Sequence, residues 1–186
     1  MIGYAFCGSF CTLSSSLCEL EWLLSAGYDI IPIMSENVYS TDTRFFKAED
    51  FKSKVRSLCS HEIIHTVTGA EPLGPKMPLD YLIISPCTGN TLAKIANGIT
   101  DTSVTMAAKA HLRCDRPMLI SLASNDAMSQ NLGNIAKLIT RKSVYFLPMA
   151  QDDPRGKPHS LVADFSRLGE GFLAMQEGRQ LRPLFV

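Results

Sequence analysis

The stretch Ile2-Gly-Tyr-Ala-Phe-Cys-Gly-Ser9 sets the architecture that we predict, because a short apolar run leads directly into a turn that contains glycine. A helix should follow, since leucines recur at the spacing of one helical face up to the stop signal Gly27. These leucines are Leu13, Leu17, Leu20 and Leu24. A strand, a glycine turn and a helix in this order form the first unit of a βαβ protein with a parallel sheet.

The same alternation of apolar runs and helical patterns continues along the chain. Apolar runs predict strands at 29–34, 81–85, 117–122 and 143–147, in addition to the first strand at 2–7. Helical spacing predicts helices at 48–59, 91–97 and 103–112, another across Met128, Leu132, Ile135 and Ile139, and a last one across Leu161, Phe165, Leu168 and Phe172. The polar stretch 36–44 and the proline-rich stretch 70–78 are predicted to be loops.

Five strands flanked by helices indicate one domain that spans residues 1–186. The expected fold class is a three-layer α/β/α doubly wound parallel sheet, Rossmann-like or flavodoxin-like. Ligands of such sheets bind outside the carboxyl ends of the strands, where the strand order reverses. The functional site is therefore expected in the loops that follow the strands.

The composition is that of an ordinary globular protein. Hydrophobic residues make up 46% and charged residues 19% of the chain, so neither disorder nor membrane insertion is indicated. Lys+Arg and Asp+Glu both number 18, a balance that provides no general basic field for a nucleic acid. The start lacks a basic segment before its apolar run, so we expect a cytosolic protein. The six cysteines are expected to be free thiols, and no metal site is predicted.

Four short segments rich in hydroxyl and amide groups are expected to meet at the carboxyl ends of the strands. They are Gly8-Ser9, Ser35, Pro86-Cys-Thr-Gly-Asn-Thr91 and Ala123-Ser-Asn125. Backbone N–H groups, hydroxyls and a helix N-terminus can bind a phosphate without a lysine. Each segment alone is also typical of a tight turn or a helix cap, for which Asn90 is suited. Because a GxGxxG fingerprint is missing after the first strand, we favour a mononucleotide.

The same segments, together with the longer motif Pro86-Cys-Thr-Gly-Asn-Thr-Leu-Ala-Lys-Ile-Ala-Asn-Gly-Ile-Thr-Asp101, resemble the flavoprotein family that includes phosphopantothenoylcysteine decarboxylase and flavin prenyltransferase. The resemblance implies FMN as the cofactor, with its phosphate on the serine-containing turns and its isoalloxazine ring beside the proline-led loop. Carried over by position, the cofactor-binding residues are Gly8, Ser9, Ser35, Thr88, Gly89, Asn90, Thr91, Ala123, Ser124 and Asn125.

Within this family the chain is similar to a branch that makes dipicolinate, which is pyridine-2,6-dicarboxylate. The similarity lies in Ser40-Thr-Asp-Thr-Arg-Phe45, Ala70-Glu-Pro-Leu-Gly-Pro-Lys76, Pro86-Cys-Thr-Gly-Asn90 and Gln151-Asp-Asp-Pro154. It implies oxidation of dihydrodipicolinate in the mother cell of a sporulating bacterium, with a separate dehydrogenase-like A subunit through which NADP enters. It also implies a homo-oligomer in which residues 103–113 complete a neighbour's pocket.

The dianionic substrate that the resemblance implies calls for cations near the flavin. Four residues in the loops expected nearest to it are Arg44, Lys76, Arg155 and Lys157, although each is equally typical of a solvated surface charge. No catalytic acid or base is assigned, since Asp152 and Asp153 before Pro154 are first of all a turn sequence.

Two other functions are compatible with the same motifs. The chain can be a non-catalytic FMN- or NADP-binding partner that stabilises the A subunit, or a flavin-dependent decarboxylase, that is, a lyase. The cysteine decarboxylases of the family use a histidine after the second strand, and neither His61 nor His65 lies in a matching motif. Cys87 lies beside the expected flavin, but a buried cysteine is usually an inert small hydrophobic residue.

Overall fold

The structure is a computed structural model that describes residues 1–74 and 76–186. Its strands are β1 (Ile2–Phe6), β2 (Ile30–Met34), β3 (Tyr81–Cys87), β4 (Met118–Ser124), β5 (Val144–Phe146), β6 (Met149–Ala150) and β7 (Leu161–Ala163). Its α-helices are α1 (Leu13–Ser25), α2 (Glu36–Ser40), α3 (Ala48–Leu58), α4 (Val67–Ala70), α5 (Gly89–Ala96), α6 (Ser103–Leu112), α7 (Leu132–Ile139) and α8 (Leu168–Gln176). Short 3-10 turns, Phe10–Thr12 and Phe165–Arg167, precede α1 and α8.

A parallel sheet forms the centre of the molecule, as predicted. Strands β2, β1, β3, β4 and β5 lie side by side in that order and run in the same direction. β1 has β2 on one side and β3 on the other. The chain therefore goes from β1 to β2 in one direction across the sheet and then crosses back to place β3 on the opposite side of β1. The strand order therefore reverses beside β1, which is the position where ligands bind in doubly wound sheets.

Helices cover both faces of the sheet and make the three layers that the sequence predicts. On one face, α1, α3 and α8 bury apolar side chains such as Leu17, Phe51 and Phe172. On the other face, α5, α6 and α7 bury Leu92, Val104 and Ile135, among others. Burial of apolar side chains on both faces explains why the strands read as continuous apolar runs in the sequence.

The end of the chain differs from the prediction, since the structure has seven strands rather than five. The spacing of Leu161 to Phe165 is helical and predicts that both lie in the last helix, but Leu161 lies in β7. β7 pairs antiparallel with the carboxyl end of β4 and with β6. These strands of two and three residues are too short to show an alternating pattern in the sequence.

The predicted loop at 36–44 is also partly wrong, because it contains α2. The side chain of Ser35 caps α2 by accepting a hydrogen bond from the Val38 N–H group. The Val38 side chain is buried, so this cap and one apolar contact stabilise the short helix. In the stretch 70–78, Ala70 ends α4 and turns follow, while Pro75 lies outside the described residues. Met128 lies in a turn, and α7 begins only at Leu132.

None of the helices in the described ranges combines the length and the apolar character that a membrane span requires. The longest helix, α1, has only thirteen residues.

Candidate functional site

A cavity of about 720 Å³ opens at the carboxyl edge of the sheet, where β1, β3 and β4 end. We call it the main cavity. Its lining comes from the turn after β1, the loop before α3, the start of α5, the end of β4 with the turn that follows it, and the stretch from the segment between β6 and β7 into β7. These residues are Gly8, Ser9, Phe10, Cys11, Thr12, Phe45, Thr88, Gly89, Asn90, Ala123, Ser124, Asn125, Asp126, Asp152, Lys157, Ser160 and Val162. Its volume lies within the roughly 300–1,000 Å³ that is typical of small-molecule sites.

A second cavity of about 440 Å³, which we call the adjoining cavity, lies on the side of α2. It shares Gly8, Thr88 and Asn90 with the main cavity, so the two spaces meet at the turn after β1 and the start of α5. Ser35 and Thr91 line only the adjoining cavity. All ten residues that the sequence proposes for cofactor binding therefore lie around one continuous pair of cavities.

The start of α5 supplies most of the polar groups between the two cavities. Thr88 is the N-cap, and its Oγ1 accepts a hydrogen bond from the Thr91 N–H group at 3.2 Å. The expected cap, Asn90, is instead a residue of the first turn, and its side chain lines both cavities. Backbone N–H groups of a first helical turn have no partner within the helix, so this end of α5 can donate to an anion.

Ser35 and α2 form the outer wall of the adjoining cavity. Ser35 is nearly buried, and its hydroxyl also caps α2, as noted above. The Glu36 carboxylate accepts a hydrogen bond from the Ser103 N–H group at 2.9 Å, and the Ser103 hydroxyl donates to the Met34 carbonyl oxygen at 2.6 Å. These contacts fix α2 and the start of α6 to the end of β2, so the wall does not depend on a ligand for its position.

A hydrogen-bonded cluster supports the floor of the main cavity behind Gly89. The Ser124 hydroxyl and the Asn131 side-chain amide both donate to Asp126 Oδ1, at 2.5 and 2.9 Å. The Ser124 bond, together with the one from Asn131, holds the pKa of the Asp126 carboxyl below its usual range. A Cβ atom added to Gly89 would lie 2.6 Å from Asp126 Oδ1 and 2.7 Å from Asn131 Nδ2. Glycine at this position thus lets the α5 backbone approach the cluster closely.

The segment 151–160 between β6 and β7 forms the third wall of the main cavity. Lys157 Nζ lies 2.6 Å from Asp152 Oδ2, and the hydrogen bond from Lys157, with that from Ser160, lowers the pKa of the Asp152 carboxyl. The Gly156 N–H group donates to Asp153 Oδ1, which confirms the turn that the sequence predicts around Pro154. The segment is therefore ordered by its own contacts.

The four cations proposed for the substrate are not equally placed. Lys157 lines the main cavity, but its charge is paired with Asp152. The guanidinium of Arg44 lies 4.8 Å from the ring centroid of Phe45, whose side chain does line the cavity. Arg155 is exposed in the turn beyond the cavity.

Lys76 requires a correction. It lies in the exposed turn that precedes β3, at the amino edge of the sheet, whereas the cavities lie at the carboxyl edge. The Met77 N–H group donates to the Pro72 carbonyl oxygen and the Asp80 N–H group to the Met1 carbonyl oxygen, so backbone contacts hold this stretch at the amino edge. Within one chain the structure does not bring Lys76 to the site.

Helix α6, which the resemblance implies completes a neighbour's pocket, is mostly buried within its own chain. Eight of its ten residues, including Val104, Ala108 and Leu112, are buried within the chain. Contacts with α4 and α5 cover its sides. The helix therefore has little surface left for a neighbouring protomer, because its own chain uses most of it.

Neither the cysteines of the strand ends nor the two histidines supply reactive groups to the cavities. Burial raises the pKa of the Cys7 thiol to about 11 and raises that of Cys87 well above its usual value, so both are protonated at neutral pH. His61 pairs with Asp29 at 2.8 Å, and the His65 ring stacks on Tyr39. Across residues 1–74 and 76–186 there is no cluster of three or more candidate metal ligands.

Sequence reasoning missed seven residues of the main cavity, namely Phe10, Cys11, Thr12, Phe45, Asp126, Ser160 and Val162, and three of them show why. Phe45 is an exposed aromatic residue in a polar stretch, and that contrast is a signal that the sequence does carry. Asp126 follows the segment 123–125 directly, and only its contacts show that it supports that segment. Ser160 lies far from the other elements in sequence, and it reaches the cavity because β6 and β7 pair.

Comparisons with known proteins identify relatives of the whole chain. The family described as Flavoprotein matches residues 3–165. The B subunit of dipicolinate synthase from Bacillus subtilis (strain 168) is 40% identical over 185 residues, which are 100% of this chain and 92% of that protein. The crystal structure of the dipicolinate synthase B subunit from Bacillus halodurans C superposes with a TM-score of 0.91 at 38% identity, covering 100% of this chain and 95% of that one.

A more distant structure shares the fold. The crystal structure of the FMN-dependent cysteine decarboxylase SpaF superposes with a TM-score of 0.68 at 18% identity and covers 95% of each chain. At this identity the likeness shows the arrangement of the strands and helices alone.

Proposed function

The chain belongs to the flavoprotein family, in the branch of dipicolinate synthase B subunits, and on this premise we propose that it binds FMN in the main and adjoining cavities. The observation that supports this most strongly is the convergence of neutral donors from the ends of β1, β2, β3 and β4 on one continuous space. A phosphate in the adjoining cavity would meet the hydroxyls of Ser35 and Thr91 and the first turn of α5.

The charges around the cavities fit a mononucleotide. Lys94 lines the adjoining cavity, and its Nζ is 2.9 Å from the Asp101 carboxylate, so its charge is already balanced. The donors that remain for a phosphate are hydroxyl and backbone N–H groups, which suit a phosphate monoester at a helix N-terminus. Asn90, Ala123 and Asn125 line the main cavity, where the ring system would lie.

We further propose that the site serves the oxidation of dihydrodipicolinate to dipicolinate, together with the A subunit of dipicolinate synthase. Bound FMN would supply the two-electron acceptor for this aromatisation. Two of the chain's cations can orient the substrate: Lys157 on the 151–160 wall, where the substrate would compete with Asp152 for its charge, and Arg44 beside Phe45. Arg155 lies in the turn beyond the cavity. Asp126 and Asp152 are held ionised by their hydrogen bonds, so neither has the pKa near 7 that suits a general base.

An FMN titration against riboflavin tests the cofactor. Thr91→Val removes one hydroxyl from the proposed phosphate site, and we expect FMN affinity to fall about tenfold, as for the loss of one charge-assisted hydrogen bond. Riboflavin lacks the phosphate, so its affinity should change little. The matched control is Thr68→Val, because Thr68 is exposed on α4 and does not line either cavity. Equal loss for both flavins, or no flavin binding by the wild-type chain, contradicts the proposal.

A non-catalytic role beside the A subunit is the second candidate, and the lowered pKa values of Asp126 and Asp152, the two acidic residues in the described lining of the main cavity, favour it. In this case the chain carries FMN or NADP and stabilises its larger partner. One assay separates the two candidates. The purified A subunit, this chain and their mixture each receive dihydrodipicolinate, FMN and NADP while the pyridine absorbance is followed. Product from the A subunit alone assigns this chain an accessory role, whereas product only from the mixture supports a redox role for it. Carbon dioxide release from a carboxylated thiol would instead indicate a lyase.

Two further proposals concern where the chain works and in what form. We place it in the cytoplasm of the mother cell, as a homo-oligomer that meets the A subunit there. Sedimentation of the purified chain, by itself and in the presence of the A subunit, measures both associations. Because α6 is covered by its own chain, a contact surface is expected elsewhere, and exposed apolar residues such as Trp22, Ile99 and Leu173 are candidates.

A further inference from the structure

A third cavity, of about 420 Å³, lies at the amino edge of the sheet beside the start of β5. We call it the cationic cavity, because the exposed residues Arg141, Lys142 and Arg182 are part of its lining. It shares no lining residue with the main or the adjoining cavity. It is therefore a separate place in the fold, on the opposite edge of the sheet from the proposed flavin.

The three cations have no acidic partners. Within residues 1–74 and 76–186, none of them forms an ion pair, while nine ion pairs involve other lysines and arginines or the N-terminus. The described lining of the cavity includes no aspartate or glutamate. Among acids of neighbouring segments, Glu177 is paired with Arg179. All three side chains are exposed, so water and salt screen their mutual repulsion in part, and the local excess of positive charge attracts anions.

Helix stability explains only part of this arrangement. Arg141 and Lys142 follow the C-terminus of α7, where cations interact favourably with the helix dipole. Arg182 belongs to the C-terminal segment and to no helix, yet it lines the same cavity. Two segments that are distant in sequence thus direct positive charge into one concave space.

The other lining residues indicate what kind of anion fits. Ile139, Val144 and Leu184 provide apolar surface, and Tyr145 contributes an aromatic side chain that is partly exposed. The hydroxyls of Thr140 and Ser143 donate to the carbonyl oxygens of Ala136 and Asp115, so the cations are the main donors left for a ligand. Apolar surface beside cations suits a small organic anion better than a fully hydrated inorganic one.

We propose that the cationic cavity binds a small organic dianion, with two carboxylates or one phosphate group as the charged part. Of a dicarboxylate, one carboxylate would lie near Arg141 and Lys142 and the other near Arg182, with the carbon skeleton on the apolar surface. A phosphate group would lie at one of these two positions. Guanidinium groups favour carboxylates and phosphates because their planar donors match two oxygens at once. This site does not depend on the proposed function, since it shares no residue with the flavin cavities.

Calorimetric titration of the protein in saturating FMN tests the site. The probes are pyridine-2,6-dicarboxylate, the monoanion pyridine-2-carboxylate and inorganic phosphate, all at matched ionic strength. We expect the dicarboxylate to bind about tenfold more tightly than the monoanion, the ratio that one added charge-assisted contact provides. Tighter binding of phosphate than of dicarboxylate would assign the site to phosphate groups. If none of the probes binds, the proposal is wrong.

Two variants separate this cavity from any anion site at the carboxyl edge. Arg182→Gln and Arg141→Gln should each weaken dicarboxylate binding about tenfold. The matched control is Arg56→Gln, which removes the same charge from exposed helix α3 and should leave binding unchanged. Equal affinities for all three variants would place the anion elsewhere and overturn the inference. If Arg182→Gln instead loses binding to the A subunit, and the wild type binds no small anion, the inference is overturned in favour of a protein contact.

Discussion

Gly89 leaves no room for a side chain, because Ser124, Asp126 and Asn131 form a hydrogen-bonded cluster directly beside it. We therefore expect Gly89→Ala to reduce the free energy of unfolding by about 1–3 kcal/mol, the usual range for overpacking. Since Gly89 also lines the main cavity, FMN affinity should fall in the same variant. Urea denaturation and flavin fluorescence measure the two effects.

Gly133→Ala is the control for this experiment. Gly133 lies inside α7, and a Cβ atom added there meets nothing within 4 Å. Alanine should stabilise the helix by roughly 0.5–1 kcal/mol and leave FMN binding unchanged. If both variants lose the same stability, crowding at Gly89 is not the cause.

Glu19 on α1 gives the stability of the protein a specific pH dependence. Burial, with the nearby charge of Asp164, raises the pKa of Glu19 to about 6. Between about pH 4.5 and 6 the folded chain keeps this proton while the unfolded chain has lost it, so stability decreases as the pH rises. Glu19→Gln should match the wild type below pH 4.5 and exceed it in stability above pH 6. Urea denaturation at several pH values measures this difference, and a constant difference at every pH contradicts it.

At the residue scale, the sequence predicts positions better than roles. Gly8, Ser9 and Ser35 follow strands, and any residue directly after a parallel strand reaches the carboxyl edge, so their location was predictable. The N-cap residue of α5 was not predictable, because the side chains of Thr88 and Asn90 can both cap a helix and only the backbone geometry shows that Thr88 is the cap. The pairing of Lys157 with Asp152 depends on a turn whose geometry the sequence only suggests.

At the level of elements, the free edge of β5 shows how one side chain completes a sheet. Gln180 donates from Nε2 to the Phe146 carbonyl oxygen at 2.6 Å and accepts from the Phe146 N–H group at 2.9 Å. The Gln180 amide thus makes the two hydrogen bonds that a neighbouring strand would make with Phe146. The Phe146 N–H and carbonyl groups are then not free to pair with a strand of another chain. Gln180→Ala should reduce the free energy of unfolding by about 1–3 kcal/mol, because two partly buried groups lose their partners.

Gln176→Ala, which truncates an exposed glutamine on α8, is the control for Gln180→Ala. Thermal unfolding measures stability, and light scattering detects association through the open edge. We expect more scattering for Gln180→Ala than for the control. Equal behaviour of both variants would mean that the edge of β5 is protected by other means.

The elements that were predicted correctly are those with a long and regular apolar pattern. Helix α6 has the predicted bounds, and α3 differs from the prediction by one residue. Helix α2 and strands β6 and β7 were missed because each is short and is held by tertiary contacts, such as the pairing of β7 with β4. Local periodicity carries no information on contacts of that kind.

At the scale of the whole molecule, the sheet connects every part of the chain, and we expect one cooperative unfolding transition. Trp22, the only tryptophan, lies on α1, and its ring lies beside Gly169 in the first turn of α8. Its fluorescence therefore reports one face of the sheet, while far-UV circular dichroism reports all elements. The two urea curves should coincide, as they do for single domains. Separate midpoints would contradict the prediction that residues 1–186 form one domain.

The antiparallel pair β6 and β7 has a consequence for how such a protein can change over evolution. Backbone pairing with β4 and with residues 184–186 anchors both ends of the segment 151–160, and backbone pairing does not depend on which side chains lie between the anchors. That insert can be exchanged or lengthened while the parallel scaffold and the opposite cavity walls stay as they are. We accordingly expect that grafting this loop between homologues changes one wall of the main cavity and leaves the cluster beside Gly89 unchanged.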